Sequence, residues 1–453
     1  MRPAPLFLSA LIAVPGILPA AAAEATPQKP NIIFILADDL GIGSVSSYGA
    51  DNFKTPNIDQ LAASGIRFEH CYSSPLCGPS RALFLTGRYA FRTGMTSNGT
   101  GDRMKPANEI MIATVLKQAG YVTGQVGKWD QMPLQPSDWG FDEYLRFKGS
   151  GKYWNTQPGG QSYTVNGKET PLLDGEYLPD KMHDFAVSFI TRHKDQPFFL
   201  YYSMSNVHAP ILPTPDSAPG IAGDRLYQDN VAYMDKLVGK LVAAVDSLKL
   251  RQKTLIVFAS DNGTPKALKL FCTVGGKQLS GCKDTMLECG ALVPMTISWA
   301  GTTPADKVSQ NFISMVDFFP TLASVAGAKL PQGVTIDGRP FTPMLYGQTS
   351  GDWLRDWIFV LLRREWYDRE AGWKLNQSGE LFDMKNAPFT EPLVPADTKD
   401  ADALAARQRL QAVLDQLNPA AGKVAPGGPG QKNKNGNKNQ PMQDSEKANA
   451  PDE

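Results

Sequence analysis

Histidine is scarce in this chain: His70, His183, His193 and His208 are the four among 453 residues. A dinuclear zinc centre draws on several imidazoles, and so thin a supply argues against one. Net charge is missing too, with 45 basic and 45 acidic residues scattered along the sequence. Without a basic stripe there is no electrostatic footprint for a nucleic-acid partner. No apolar run reaches the roughly 20 residues of a membrane-spanning helix; the candidate, Leu6 to Leu18, is interrupted by Pro15 and Gly16. No internal repeat is visible, which sets solenoids and propellers aside. Cysteine is limited to Cys71, Cys77, Cys272, Cys282 and Cys289. That odd number leaves at least one thiol without an internal partner. Cys272 and Cys282 are candidates to close a loop in an oxidising compartment, although spacing does not determine connectivity.

What is present begins with Arg2, the short apolar run, and then Ala21, Ala22 and Ala23 before Glu24. A charged start, an apolar core and a small-residue exit form a secretory signal peptide over 1–23. The mature chain is therefore expected outside the cytoplasm, periplasmic or secreted, with no stable membrane insertion. Further on, apolar runs rich in Val, Ile, Phe and Tyr recur between turn residues, at 31–37, 66–72, 121–126, 197–204, 254–260 and 293–298. They predict buried strands. Helical patterns at 58–64, 110–119, 180–193 and 224–248 alternate with them, and Gly65 and Gly120 stand where a left-handed cap is wanted. The alternation predicts an α/β fold over residues 30–327, a mainly parallel mixed sheet sandwiched by helices. Ligands of such sheets bind in the crevice at the carboxyl ends of the strands.

After Gly327 the pattern changes. Short strands at 357–363, 373–376 and 380–382, the last two joined by a turn at Gln377, Ser378 and Gly379, and a helix at 400–417 predict a small C-terminal antiparallel α+β subdomain over 328–417. From Asn418 the composition turns to Gly, Pro, Asn, Lys and Gln, which predicts a disordered tail over 418–453.

Chemistry concentrates at two predicted strand exits. Asp38 and Asp39 follow the first strand directly, and adjacent carboxylates repel unless a cation offsets them. Asp261, Asn262 and Gly263 follow the strand 254–260. An Asp-Asn-Gly taken alone is a common turn, but two such pairs at one sheet edge supply four oxygen-bearing side chains, a set that suits calcium or magnesium.

A third segment is more specific. Cys77-Gly78-Pro79-Ser80-Arg81 opens a short predicted helix, and Leu85-Thr86-Gly87-Arg88 follows. With this pattern the chain, over roughly residues 30–385, resembles the type I sulfatases, of alkaline-phosphatase-like fold, whose maturation enzymes convert that Cys to formylglycine. The resemblance implies a calcium ion ligated by Asp38, Asp39, Asp261 and Asn262, with an oxygen of the converted Cys77 completing the sphere. It implies that Arg81 orients the formylglycine and that Lys128, in Gly127-Lys128-Trp129, grips both formylglycine and sulfate. His208, in His208-Ala209-Pro210, is implied to contact the bridging ester oxygen, and Lys283 to be a second lysine on the sulfate. The implied partners are a sulfated small-molecule or carbohydrate substrate and a formylglycine-generating maturation enzyme.

One position departs from the family. Where the family has a histidine after Gly-Lys-Trp, this chain has Asp130. On an extended segment Asp130 shares a face with Lys128, so it is expected to point into the site. With a reference pKa of about 3.9 it is a weaker base than imidazole. Three readings stay open: Asp130 as the base of a working sulfatase; Asp130 as a structural partner of Lys128 in an enzyme similar to the phosphonate monoester hydrolases; or a slow or inactive binder of sulfated glycans. The other conspicuous residues have plainer expectations. His70 reads as a packed strand residue, His183 and His193 as surface or cap residues, Trp139, Phe141 and Tyr144 as core and pocket wall, and Trp366, Tyr367 and Trp373 as subdomain packing ahead of sugar stacking.

Overall fold

The computed structural model describes residues 29–157 and 162–424. Its centre is a ten-stranded sheet in the order β12-β2-β11-β8-β1-β7-β3-β4-β5-β6. The strands are β1 (Asn31–Ala37), β2 (Ile66–Tyr72), β3 (Val122–Lys128), β4 (Glu143–Phe147), β5 (Ser162–Val165), β6 (Lys168–Pro171), β7 (Phe198–Ser203), β8 (Thr254–Ser260), β11 (Leu292–Ser298) and β12 (Lys307–Ser314), with a minor hairpin, β9 (Thr273–Val274) and β10 (Lys277–Gln278), between β8 and β11. β8, β1, β7, β3 and β4 pair in parallel, while β11 runs antiparallel to both β8 and β2.

β1 shows why this sheet is covered on both faces. All seven of its residues are buried. Ile32, Phe34 and Leu36 point into one apolar cluster and Ile33, Ile35 and Ala37 into the other, the two-residue period of a strand. Phe34 stacks on Phe84 at 3.9 Å between ring centres, and truncating such a side chain to Ala costs roughly 3–5 kcal/mol. The helix Leu178–Arg192 packs on β3 and β7, and the helix Asp224–Ser247 packs on Leu178–Arg192 and Pro56–Ala63. Asp224–Ser247 buries Val231, Met234, Val238, Leu241 and Val245 along one stripe, at the helical spacing.

The second sheet is antiparallel, in the order β13 (Ile358–Leu362), β14 (Glu365–Arg369), β15 (Trp373–Asn376) and β16 (Leu381–Asp383). The helix Ala401–Leu417 packs on β14 and β15. It starts at Asp400, whose carboxylate accepts from the Asp402 and Ala403 amides, the capping that satisfies otherwise orphaned N–H groups. The expected α/β body and antiparallel C-terminal subdomain are both there.

Several local expectations need correction. β14 was not anticipated: Glu, Asp and Arg hide a strand whose last three residues are nevertheless buried. β12 escaped too, because it lies at the sheet edge and its first half, Lys307 to Asn311, is largely exposed and polar apart from Val308. His183 is buried in the helix Leu178–Arg192 rather than on its surface, whereas His193 is the C-cap of that helix. All five cysteines are buried free thiols, so Cys272 and Cys282 do not close a loop here. The chain stays in contact with the fold over 418–424: Pro419 is buried, and the Lys423 amide donates to Phe91 O at 2.6 Å. The remainder of the expected tail and the expected signal peptide lie outside the described residues. Among those described, no helix is long and apolar enough to cross a membrane.

Candidate active site

Four strand ends and one helix start converge at the carboxyl edge of the parallel strands. β1 runs straight into Asp38 and Asp39, both buried. The Asp38 amide donates to Asn206 O and its carbonyl accepts from the Val207 amide at 2.7 Å, tying this exit to the chain beyond β7. Asp39 has a φ of 63°, a left-handed conformation that Asp adopts more readily than most residues. Beside it β8 exits into Asp261 and Asn262. The Asp261 amide donates to Ala37 O, and its Oδ1 accepts from the Asp39 amide at 3.0 Å. Gly263 has to be glycine, since a Cβ there would stand 1.9 Å from Cys289 O.

Cys77 is the first residue of the helix Cys77–Thr86, which is buried throughout. Its Sγ lies 3.5 Å from Asp38 Oδ1 and 3.5 Å from Asp39 Oδ1. Lys128, the last residue of β3, donates to both Asp38 oxygens at 2.8 and 2.6 Å. Lys283 donates to Asp39 Oδ2 at 2.7 Å, and its Nζ is 3.3 Å from His208 Nε2. His208 Nδ1 is 2.5 Å from Ala209 O; a proton on Nδ1 held by that carbonyl leaves Nε2 facing the cluster. Arg81 Nη2 donates to Asp261 Oδ2 at 2.8 Å and lies 3.7 Å from Asp38 Oδ1. Of the residues singled out in the sequence, the fold thus brings together Asp38, Asp39, Cys77, Arg81, Lys128, His208, Asp261, Asn262 and Lys283.

Asp130 is the exception. β3 ends at Lys128, Trp129 turns into the core, and Asp130 is exposed, its carboxylate accepting the Gly149 amide at 2.9 Å. The extended segment that was to put it beside Lys128 does not continue that far. Other residues of the site went unread in the sequence. The Ser203 hydroxyl receives Arg81 Nη1 and donates to Lys128 O, and Tyr201 also accepts from Nη1. Tyr153 donates to His208 O at 2.6 Å, and the Asn98 side chain accepts the Gly78 amide. Ser203 had a signal, as a polar residue closing an apolar strand at the ligand-binding edge; Asn98 and Tyr153 had none.

The electrostatics follow from crowding three carboxylates and three cations in a dry place. Burial opposes ionisation of Asp38, but Lys128, His208, Arg81 and Lys283 together outweigh it and hold its carboxyl well below the usual range. For Asp39, burial is likewise outweighed, by His208 and Lys283. Asp261 goes the other way: burial and the nearby Asp38 charge push it up to about 6 against the pull of Arg81 and Lys128. Burial, then the Asp261 charge, raises the Cys77 thiol well above its ordinary value. A thiol so held is a poor nucleophile. His208 is lowered, with burial the main cause; Asp39 and Asp38 oppose the shift and Lys128 and Lys283 add to it.

The donor set fits a hard divalent cation. Ligand atoms of Asp38, Asp39, Cys77 and His208 all lie within 4.8 Å of one another. Asn262 donates Nδ2 to Asp39 Oδ1 while its own Oδ1 is buried without a partner. An orphaned amide oxygen among carboxylates is what an oxygen-liganded ion such as calcium would use.

The comparisons with known proteins agree with this geometry. The family model described as Sulfatase matches residues 30–328. Human arylsulfatase D is 30% identical over 464 residues, covering 79% of this chain and 76% of that protein. Human arylsulfatase A is 34% identical over 368 residues, covering 73% and 70%. Among solved structures, Ps i-CgsB in complex with k-i-k-neocarrahexaose superposes with a TM-score of 0.74 at 30% identity, over 88% of this chain and 94% of that one. With a mainly parallel sheet, a thiol at the start of a buried helix and lysines facing paired aspartates already in place, these likenesses make the chain a member of the sulfatase family, of alkaline-phosphatase-like fold, and a sulfuric ester hydrolase.

Proposed function

We propose that the chain is exported through its segment 1–23 and hydrolyses sulfate monoesters of carbohydrates, using formylglycine made from Cys77 by a maturation enzyme and one calcium ion held by Asp38, Asp39, Asp261, Asn262 and residue 77. The observation that carries the reading is the position of Cys77: its Sγ lies 3.5 Å from a carboxylate oxygen of both Asp38 and Asp39, on the floor that Lys128 and Lys283 also face. Calcium would supply a Lewis acid beside residue 77, and formylglycine an aldehyde whose hydrate is a nucleophile. Everything else falls to the chain's own side chains. Lys128 and Lys283 each hold a carboxylate here; with those carboxylates holding a metal, the two ammonium groups would be the cations that face a sulfate ester and balance charge on its sulfuryl oxygens. Arg81, held by Asp261, Ser203 and Tyr201, keeps residue 77 and Asp261 in register. His208 presents Nε2 and, as the imidazolium with a proton on each ring nitrogen, delivers the Nε2 proton to the departing alcohol oxygen and is left as the Nδ1–H imidazole held by Ala209 O. Likeness to Ps i-CgsB, solved with k-i-k-neocarrahexaose, supports a carbohydrate substrate.

A second reading, a phosphonate or phosphate monoester hydrolase with the same formylglycine, is favoured by one observation: Asp130 is turned to Gly149 and away from Cys77. The test is mass spectrometry of the Cys77 peptide from protein made beside a maturation enzyme, followed by rates on matched aryl sulfate and aryl phosphonate monoesters. Aldehyde at residue 77 and a preference for the sulfate are expected. A faster phosphonate reaction would move the assignment to the second reading. An unmodified thiol throughout would leave a slow or inactive binder of sulfated glycans.

A further inference from the structure

The rim above Cys77 contains a pair of arginines, the first of them in a strained backbone conformation. Leu362 of β13 faces Glu365 of β14, so the hairpin between them closes on two residues, Arg363 and Arg364. Arg363 has a φ of 58°. Gly, Asn or Asp is the usual occupant of a tight hairpin position with positive φ, because a longer side chain is strained there. The hairpin is nevertheless docked on the site. The Arg363 amide donates to Thr96 O at 2.7 Å, in the same loop whose Asn98 side chain accepts the amide of Gly78, next to Cys77. Leu361 O accepts from Ser74 Oγ at 2.9 Å, three residues before Cys77. The Arg363 guanidinium pairs through Nη2 with Asp284 at 2.7 Å, and Asp284 directly follows Lys283.

That pair differs from every ion pair on the floor. The side chains of Arg363 and Asp284 are 51% and 47% exposed. An ion pair so wet is weak and exchanges partners readily. A guanidinium has five N–H donors in a planar fork matched to carboxylate and sulfate oxygens, and here one of its nitrogens is held. The cations on the floor, by contrast, pair with Asp38, Asp39 and Asp261 here, and in the proposed function Lys128 and Lys283 are taken up by the scissile sulfate itself. Selection of anything beyond the scissile sulfate therefore falls to rim charges, among which Asp284 and Glu365 oppose Arg363 and Arg364.

We infer that Arg363 is a specificity-determining residue that binds a second anionic group of the substrate, a sulfate or carboxylate on the sugar next to the scissile ester, by exchanging it for Asp284. The inference rests on the sulfate-ester reading and deepens it. The strain at Arg363 fits the assignment, since a residue kept in an unfavourable conformation at a site mouth is retained for what its side chain does.

The test uses the full chain with its Cys77 thiol unconverted, in calcium chloride, so that ligand is bound without turnover. Calorimetric titration with a monosulfated, a disulfated and a sulfated uronate-containing disaccharide gives three dissociation constants. Wild type is expected to bind at least one dianionic sugar about tenfold more tightly than the monosulfated one, the worth of a charge-assisted hydrogen bond. The arm that gains says whether the second group is sulfate or carboxylate. Arg363→Gly relieves the backbone, so the melting temperature should hold or rise while the tenfold preference disappears. Asp284→Asn, which tolerates the φ of 68° at that position, should widen the preference by freeing the guanidinium, a change of opposite sign that a merely structural role does not produce. Equal preferences in wild type and Arg363→Gly, or no binding of any of these sugars by wild type, would overturn the inference. Turnover of aryl sulfate by the matured protein is a separate readout, so loss of the sulfatase reading and loss of this one are told apart.

Discussion

Two regions of the molecule bury charge, and they do so to different ends. In the site, Asp38, Asp39 and Asp261 face Lys128, Lys283 and Arg81, yet Asn262 Oδ1 and Arg81 Nε are buried without partners. In the seam between the two sheets, Arg369 of β14 meets Glu288 through Nη2 at 3.0 Å and Nε at 3.2 Å, and the Tyr72 hydroxyl donates to Glu288 at 2.6 Å. The guanidinium also lies over the rings of Tyr72 and Phe312. Both oxygens of Glu288 are satisfied, so the seam is closed. A buried ion pair with no spare valence joins elements; one left with an orphan oxygen can take a ligand.

Removing one cation from each region is the strongest way to break that contrast. Arg369→Met leaves Glu288 buried beside an apolar side chain, a loss of about 3–5 kcal/mol. Thermal unfolding should shift down sharply, while sulfate-ester turnover per folded molecule stays the same. Lys128→Met should do the reverse, lowering turnover about 10²–10³-fold, as loss of a group that stabilises transition-state charge does, with little change in melting temperature when calcium is present. If Arg369→Met slowed turnover as much as Lys128→Met, the seam would belong to the catalytic machinery.

Asp368, next to Arg369, sharpens the comparison from another side. Its two carboxylate oxygens are buried with no partner, and it stands in register with Phe359 and Leu375. With no cation to answer it, this carboxyl keeps its proton: burial, then the Glu370 charge, pushes its pKa up to about 8. The unfolded chain releases that proton near pH 4 and the folded chain holds it to about pH 8, so stability falls across that interval and levels off above it. Asp368→Asn should remove the fall, gaining on the order of a few kcal/mol at pH 8 and nothing at pH 4. Urea midpoints at pH 4, 6 and 8 measure it. Parallel losses in wild type and variant would mean that Asp368 is ionised and paired in the folded protein.

The same contrast explains what could be read before the structure. Strands covered on both faces by apolar neighbours announced themselves as apolar runs, and β1, β7 and β8 lie where those runs are. The exits of β1 and β8 carried Asp38, Asp39, Asp261 and Asn262, so the oxygen donors of the floor were legible from strand ends alone, whereas Cys77, Arg81, Lys128, His208 and Lys283 were placed there by the family resemblance. β14 was not, because Asp368 and Arg369 are charged residues buried by tertiary contacts that local sequence cannot show. For the same reason Ser203 and Tyr153, which act on Arg81 and His208 from distant segments, left at most a faint trace.

Asp130 shows how far strand periodicity carries an argument. Facing residues two apart holds only while the chain stays extended, and the strand ends at Lys128. Gly127 lies at a φ of 99°, where a Cβ would stand 1.9 Å from Ser203 O, and Met132 N closes a turn onto Trp129 O. The carboxylate is thereby delivered to the Gly149 amide in solvent, an exposed hydrogen bond contributing about 0.5–1.5 kcal/mol. Asp130→Ala and Asp130→His are therefore expected to leave turnover within about threefold of wild type, a ΔΔG‡ under about 0.7 kcal/mol, and to lower stability by no more than that hydrogen bond. Steady-state rates on an aryl sulfate decide it. A tenfold loss of kcat in Asp130→Ala at unchanged KM, restored in Asp130→His, would mean that this loop swings its carboxylate onto residue 77 during turnover, and that the floor of the site extends to include it.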